Sequence, residues 1–195
     1  MFYGWIIVGV TFLIYFFNVG LMLYGAPAIN AKMIKDLDPL FNPAVVGTAV
    51  AISTACQGIL SAASGALARK TGVKKLLIFG SLMLCAGALA ISFGPENRVY
   101  FIVVYGSMMG LGLAFGGILS SQTLLNDWFS KKKGFAMSIA VSSGSVCGMI
   151  APTVMSKLTD GSWKNGWFLV AAMTAVSALL AAIIVVNRPE DKGLY

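Results

Sequence analysis

The stretch GALARKTGVKK, residues 65–75, places Arg69, Lys70, Lys74 and Lys75 between two long runs that carry no charge, 39–68 and 76–95. Charged clusters set between apolar runs are loops at a membrane surface, and the rest of the chain repeats the pattern. Charge-free runs also cover 1–31, 99–126, 134–156 and 165–187. Each reaches the roughly 20 predominantly apolar residues that a helix needs to cross the hydrocarbon core. The composition agrees: 58% of residues are hydrophobic and 11% charged, against about 25% charged in an average soluble domain. Backbone groups in lipid must find their partners within the segment, so the spans are helices, and the alternating ten-residue pattern of a membrane barrel is absent. The sequence therefore predicts an all-α membrane protein with six transmembrane helices at about 4–29, 45–67, 76–94, 99–124, 134–156 and 166–187, followed by a charged segment at 188–195.

The net charge of +7 would suggest nucleic acid in a soluble protein, but here the cations sit in short loops, and no nucleic-acid partner is expected. With the amino terminus in the cytoplasm, inner segments hold Arg69, Lys70, Lys74, Lys75, Lys131, Lys132, Lys133, Arg188 and Lys192. The outer ones hold Lys32, Lys35, Arg98, Lys157 and Lys164. The excess inside predicts that both termini are cytoplasmic. Trp5 and Trp128 then fall at the inner boundary and Trp163 and Trp167 at the outer, positions suited to indoles among headgroups. The first span has no basic region before it and is too long for a cleaved leader, so it is read as a retained helix. Cys56, Cys85 and Cys147 fall in three different spans with no Cys-x-x-Cys spacing and read as reduced packing residues.

No Asp, Glu, Lys, Arg or His lies within a span, and the chain has no His. A proton relay, a charged substrate site, a metal cluster or a Ser/Cys nucleophile with its base all require such groups. Catalytic residues, metals and cofactors are accordingly not expected, and the chain does not read as an enzyme.

Polar residues concentrate in four spans. The first carries Thr11, Tyr15, Asn18, Met22 and Gly25 along one helical face; the second, Thr54, Gln57, Ser61 and Ser64; the fourth, Phe115, Gln122 and Asn126; the fifth, Ser138, Ser142, Ser145 and Pro152. The third offers Ser81 and Ser92 and the sixth Thr174 and Ser177, which predicts that these two face lipid. Helices 1, 2, 4 and 5 are expected to share a polar interior. For Asn18, Gln57 and Gln122 two roles stand side by side, lining a wet cavity or hydrogen-bonding between helices. Tyr15 and Tyr105 suit either a small carboxylate or core packing. Small residues at four-residue spacing (Gly58, Ala62, Ala66; Gly106, Gly110, Ala114; Gly144, Gly148, Pro152) predict close helix approach.

This pattern resembles the amino-terminal half of a major facilitator superfamily transporter. In GALARKTGVKK, Gly65, Leu67, Lys70, Gly72, Lys74 and Lys75 resemble the superfamily's signature between helices 2 and 3, with Arg69 at the position of its Asp. In the family that Asp helps to latch the cytoplasmic gate, and Arg69 reverses the sign. NDWFSKKKGFAMS, 126–138, resembles the turn between helices 4 and 5 through Trp128, Phe129, Lys132, Lys133, Gly134 and Ala136. GLGLAFGG (110–117) and NGWFLVAAM (165–173) resemble stretches of helices 4 and 6. Among subfamilies, YGWIIV near the start and the Trp-Phe turn resemble the oxalate:formate antiporter and monocarboxylate porter group, although Ala28 stands where animal monocarboxylate porters tend to have Lys.

The resemblance implies one half of the major facilitator fold, a 3+3 inverted repeat, with 188–195 as the start of the central cytoplasmic loop. It implies a secondary active transporter of small organic anions such as mono- or dicarboxylates, an antiporter by its nearer relatives, working by alternating access. Cavity-lining residues would be Tyr15, Asn18, Gln57, Tyr105, Phe115, Gln122, Asn126 and Ser142; the gating loop would use Gly65, Arg69, Lys70, Gly72, Lys74 and Lys75. Partners would be the substrate anion, the bilayer, and a carboxy-terminal half or a second six-helix chain, in the plasma membrane of a bacterium or archaeon. The alternatives are a non-transporting scaffold or partner subunit, and a homodimerising half-transporter.

Overall fold

The computed structural model describes residues 3–129 and 132–187. The expected loop at 188–195, with Arg188 and Lys192, lies outside the described residues, as does Lys131. Among the described residues six helices are long and apolar enough to cross a membrane: α1 Gly4–Asp36, α2 Pro43–Thr71, α3 Val73–Phe93, α4 Arg98–Trp128, α5 Lys133–Leu158 and α6 Trp163–Ile183. Among the described residues there is no strand. The first helix runs on past the expected residue 29, because Ala26–Asp36 continues it as a polar end that carries the Lys32–Asp36 ion pair at 3.1 Å. Helix α2 starts under an Asn42 cap, whose Oδ1 accepts from the Val45 amide at 2.9 Å, with Pro43 at the first helical position.

The helices pack as two interlocked triplets. α1 lies along α5, α4 lies along α2, and α3 and α6 pack on each other and on α4 and α1 respectively. The two central helices share a construction. α1 contains wide π-helical turns over Phe16–Gly25 and α4 over Tyr105–Met109. Within the first and immediately after the second lies a glycine against a cysteine of the neighbouring helix: a Cβ at Gly20 would come within 2.5 Å of Cys147 on α5, and one at Gly110 within 2.7 Å of Cys56 on α2. The α1–α5 and α4–α2 contacts thus match at residue level, as an inverted 3+3 repeat requires.

The serines of α3 and α6 correct one expectation. Ser81, Ser92, Thr174 and Ser177 are all buried, Ser81, Thr174 and Ser177 completely. Inside the bundle Ser81 and Ser177 can bond other helices, which a hydroxyl facing hydrocarbon cannot, while Thr174 donates to the Val170 carbonyl of its own helix at 2.8 Å and Ser92 has no partner among the described residues. Asn18 on α1 donates to Ser81 Oγ at 2.8 Å and to the Gly116 carbonyl at 3.0 Å, and Ser81 and Ser177 hydroxyls are 3.2 Å apart. One polar chain therefore ties α1, α3, α4 and α6 at mid-bundle. The approach of α3 to α4 that permits it is extreme, since a Cβ at Gly80 would lie 2.1 Å from the Gly116 nitrogen. Immediately beyond, Gly117 leaves the helical region and interrupts α4.

The indoles also differ from expectation. Trp5 is 39% exposed, but Trp128, Trp163 and Trp167 are buried. Trp128 Nε1 donates to the Val186 carbonyl at 2.9 Å, and Tyr3 donates to the Ile184 carbonyl at 3.0 Å. These bonds satisfy the carbonyl of Ile184, which caps α6, and that of Val186 just beyond it, neither of which the helix itself can pair. Trp128 is a clasp for α6 rather than a headgroup anchor.

Candidate functional site: the open face of the bundle

Burial is uneven. Inside the bundle lie 61% of the apolar window of α1 but only 11% of that of α2 and 33% of that of α5. Two helices of a membrane bundle so little covered mark a face, and the polar residues sort against it. Thr54, Asn126, Ser138, Ser142 and Ser145 are exposed and Gln57, Ser61 and Gln122 half-buried, whereas Thr11, Tyr15, Asn18 and Met22 are buried. The polar line read on α1 is one face, but it points inward. Tyr15 packs over Gly144 of α5, where a Cβ would come within 3.2 Å of its ring. Asn18 holds the interior chain described above. Neither lies on the open face, and of the two roles left open for Asn18 the structure shows the interhelical one. Phe115 is likewise buried, edge-on to Phe79 with centroids 5.7 Å apart. The stripe Gly58, Ala62, Ala66 does not mediate packing either: Gly58 has open space around it and the two alanines are exposed. The stripes on α4 and α5 do, through Gly106 against Ile52 and Gly148 against Tyr24.

Hydrogen bonding separates the polar residues further. Thr54 donates to the Val50 carbonyl at 2.9 Å, Ser138 to Gly134 at 2.8 Å and Ser142 to Ile139 at 2.8 Å. Such hydroxyls are satisfied within their own helix and need no outside partner. Among the described residues Gln57, Gln122 and Asn126 make no hydrogen bond, nor does the Ser145 hydroxyl, so on this face the three carboxamides are the largest uncommitted groups.

Two cavities open here. One of about 180 Å³ lies between α1, α2 and α4, with Ser53, Thr54, Gln57 and Tyr105 among otherwise apolar walls that include Val19, Met22, Leu23 and Leu113. Tyr105 is 5% exposed and sits between Phe101, tilted to it, and Trp167, edge-on to it, with centroids at 5.3 and 5.8 Å. Ser53 was not among the residues singled out from the sequence; its one signal is its place a helical turn before Gln57. The other cavity, about 510 Å³, lies at the end expected to face the cytoplasm and is lined by Arg69, Lys70, Thr71, Gly72, Thr123, Asp127 and Asn187. Gly72 turns the chain there with φ +86°, a region that favours glycine, and a Cβ would meet the Asn187 carboxamide at 2.8 Å. Asn187 Oδ1 in turn accepts from the Lys74 amide at 2.9 Å, capping α3. Gly65 is half-buried in open space. Arg69, Lys70, Lys75, Lys132, Lys133 and Gly134 are exposed, while Phe129 is buried edge-on to Trp5, with centroids 5.5 Å apart.

The arrangement offers neutral donors and acceptors at mid-bundle, cations at one rim, and, among the described residues, no group of acidic, His or Cys side chains able to hold a metal. It can bind and guide a polar solute.

These features define a multi-pass integral membrane protein with one unpaired polar face. Residues 5–194 match the Major Facilitator Superfamily, and the chain belongs to it. It is a protein of a transporter superfamily and not an enzyme. It is 26% identical over 187 residues to monocarboxylate transporter 2 of Homo sapiens, covering 94% of this chain and 37% of that protein. It is 28% identical over 129 residues to the agnestins efflux protein AgnL12 of Paecilomyces divaricatus, with 66% of this chain and 29% of that protein covered. The uncharacterized MFS-type transporter YcxA of Bacillus subtilis is 20% identical over 146 residues, 74% of this chain and 36% of that protein. The chain thus spans between 29% and 37% of the length of these relatives.

Proposed function

We propose that this chain forms one six-helix half of a secondary active transporter of small organic anions such as mono- or dicarboxylates. It moves substrate by alternating access, as an antiporter in the plasma membrane of a bacterium or archaeon, with both termini cytoplasmic. Its open face, α2 and α5 with the exposed edges of α1 and α4, is one wall of the pathway. A carboxy-terminal half or a second six-helix chain is the other, as two-half transporters are built around a midplane site. The observation that carries this reading is the set of uncommitted carboxamides, Gln57, Gln122 and Asn126, on the least covered face of the bundle. A carboxamide without a partner in a membrane is costly unless water or a solute reaches it. Named relatives that transport monocarboxylates support the anion class. Because no cation lies within a span, the substrate's countercharge comes from the other wall.

The test is uptake of labelled acetate, lactate, oxalate and succinate into vesicles of the native membrane, where the chain sits with the other wall of the pathway, paired with alkylation of Gln122→Cys. Uptake that saturates, and an alkylation rate slowed by the same acid, are expected. If no acid is taken up and none slows alkylation, the chain is a scaffold that keeps the packing without the pathway.

A further inference from the structure

We infer that Ser53 and Gln57 form the hydrogen-bonding end of a subsite for a short-chain monocarboxylate, whose apolar body lies against Val19, Leu23 and Leu113. This rests on the reading of the open face as a pathway wall. The carrying observation is a contrast within α2. Thr48, Thr54, Ser61, Ser64 and Thr71 each donate to a carbonyl of their own helix. Ser53 is the remaining hydroxyl of α2, and among the described residues it donates to nothing, although it is only 4% exposed. It is fixed where α2 crosses α4, with its own carbonyl 2.8 Å from the site of a Cβ at Gly110, and it lines the cavity of about 180 Å³. One turn on, Gln57 lines the same cavity with its carboxamide uncommitted.

Ser53 and Gln57 line one space, and neither side chain bonds a protein acceptor among the described residues; an unmade hydrogen bond in a cavity with mostly apolar walls is costly. An ionised carboxylate is acceptor-only, so its oxygens suit a hydroxyl and an NH₂ offered side by side. Most of the remaining lining is aliphatic. A second carboxylate on the same molecule would be stripped of water against that wall with no partner, which selects a monoacid with an apolar tail over a diacid.

The experiment uses vesicles from the native membrane and a reporter, Leu23→Cys, since Leu23 lines the cavity and is 59% exposed. Cys56 and Cys85 are replaced by Ala, and Cys147 is fully buried. Alkylation by N-ethylmaleimide is timed with propionate or succinate present. Propionate should slow it and succinate at equal concentration should not. Ser53→Ala and Gln57→Leu should each raise the propionate concentration for half-protection by about tenfold, the loss of one hydrogen bond to a charged group. Gln57→Asn should lose less, and Gln57→Glu, of the same size, should abolish protection. An unchanged alkylation rate without acid shows that the cavity is intact in each variant. Protection that Ser53→Ala and Gln57→Leu leave untouched overturns this subsite while the pathway reading stands. Equal protection by succinate overturns the monocarboxylate assignment. No protection by any acid, at Leu23→Cys or at a second reporter Gln122→Cys, overturns the pathway reading and the subsite with it.

Discussion

Asn18 is the residue on which the interior depends most. Its carboxamide bonds two helices at once, and Ser81 passes the connection to α6. Asn18→Ala leaves the Ser81 hydroxyl and the Gly116 carbonyl short of a donor at full burial. Interhelical bonds in membranes contribute about 0.6–2 kcal/mol, so the variant should melt several degrees lower in detergent, while alkylation of Gln57→Cys on the open face is unchanged. Gly80→Ala should be worse. Its Cβ would meet backbone rather than a movable side chain, 2.1 Å from the Gly116 nitrogen, and overpacking typically costs about 1–3 kcal/mol. Because both changes act on Gly116, the double variant should lose less than the sum of the two losses. A strictly additive melting shift would show that Asn18 and Gly80 are not coupled through α4.

At the level of elements, spacing made the helices legible and left their direction unread. The 4-3-4-3 spacing of Thr11, Tyr15, Asn18, Met22 and Gly25 does form one face of α1, but that face is buried rather than open to a cavity. The physical reason is that a bilayer demands polar groups in two places, where helices bond one another and where water enters, and periodicity is the same for both. Hydrogen bonding separates them, and it needs coordinates: Ser142 is satisfied by Ile139 while Gln57 is not satisfied by anything described. The π-helical turns of α1 and α4 were not legible either, since a widened turn costs no apolar residue and leaves the hydropathy unchanged. The α2–α3 turn was read as a gating signature, and the structure adds a partner from far along the chain, Asn187. Gly72→Ala should therefore be penalised twice, by about 1–3 kcal/mol for an extended backbone at positive φ that side chains rarely adopt and again by the Asn187 contact. Asn187→Ala should relieve the second penalty and not the first. Melting of the single and double variants measures the split.

For the whole molecule, the decisive property is what meets the open face, and the rim charges argue on it. Arg69 and Lys70 close α2, and Lys132 and Lys133 precede or open α5, at the same end of the bundle; all four are exposed. Among the described residues none of the four has an ion-pair partner within 4.0 Å. If a second copy docked about an axis along the membrane normal, α2 of one copy would meet either α5 or α2 of the other. Both arrangements set cations on cations, and like charges brought together across an interface cost several kcal/mol. The homodimer allowed by topology is thus opposed by charge, and the complementary body is one with carboxylates at that rim. The 195-residue chain should sediment as a monomer in detergent at low salt. Arg69→Glu/Lys70→Glu, with Lys74 and Lys75 kept to hold the topology, should self-associate more than the unmodified chain if α2 meets α5. It should pair with the unmodified chain if α2 meets α2. Both effects should fade as salt shortens the screening length toward about 3 Å at 1 M. A stable, salt-insensitive dimer of the unmodified chain would show instead that the apolar stretch between the rims, with Ile59 75% and Met149 82% exposed, outweighs the charge at its end.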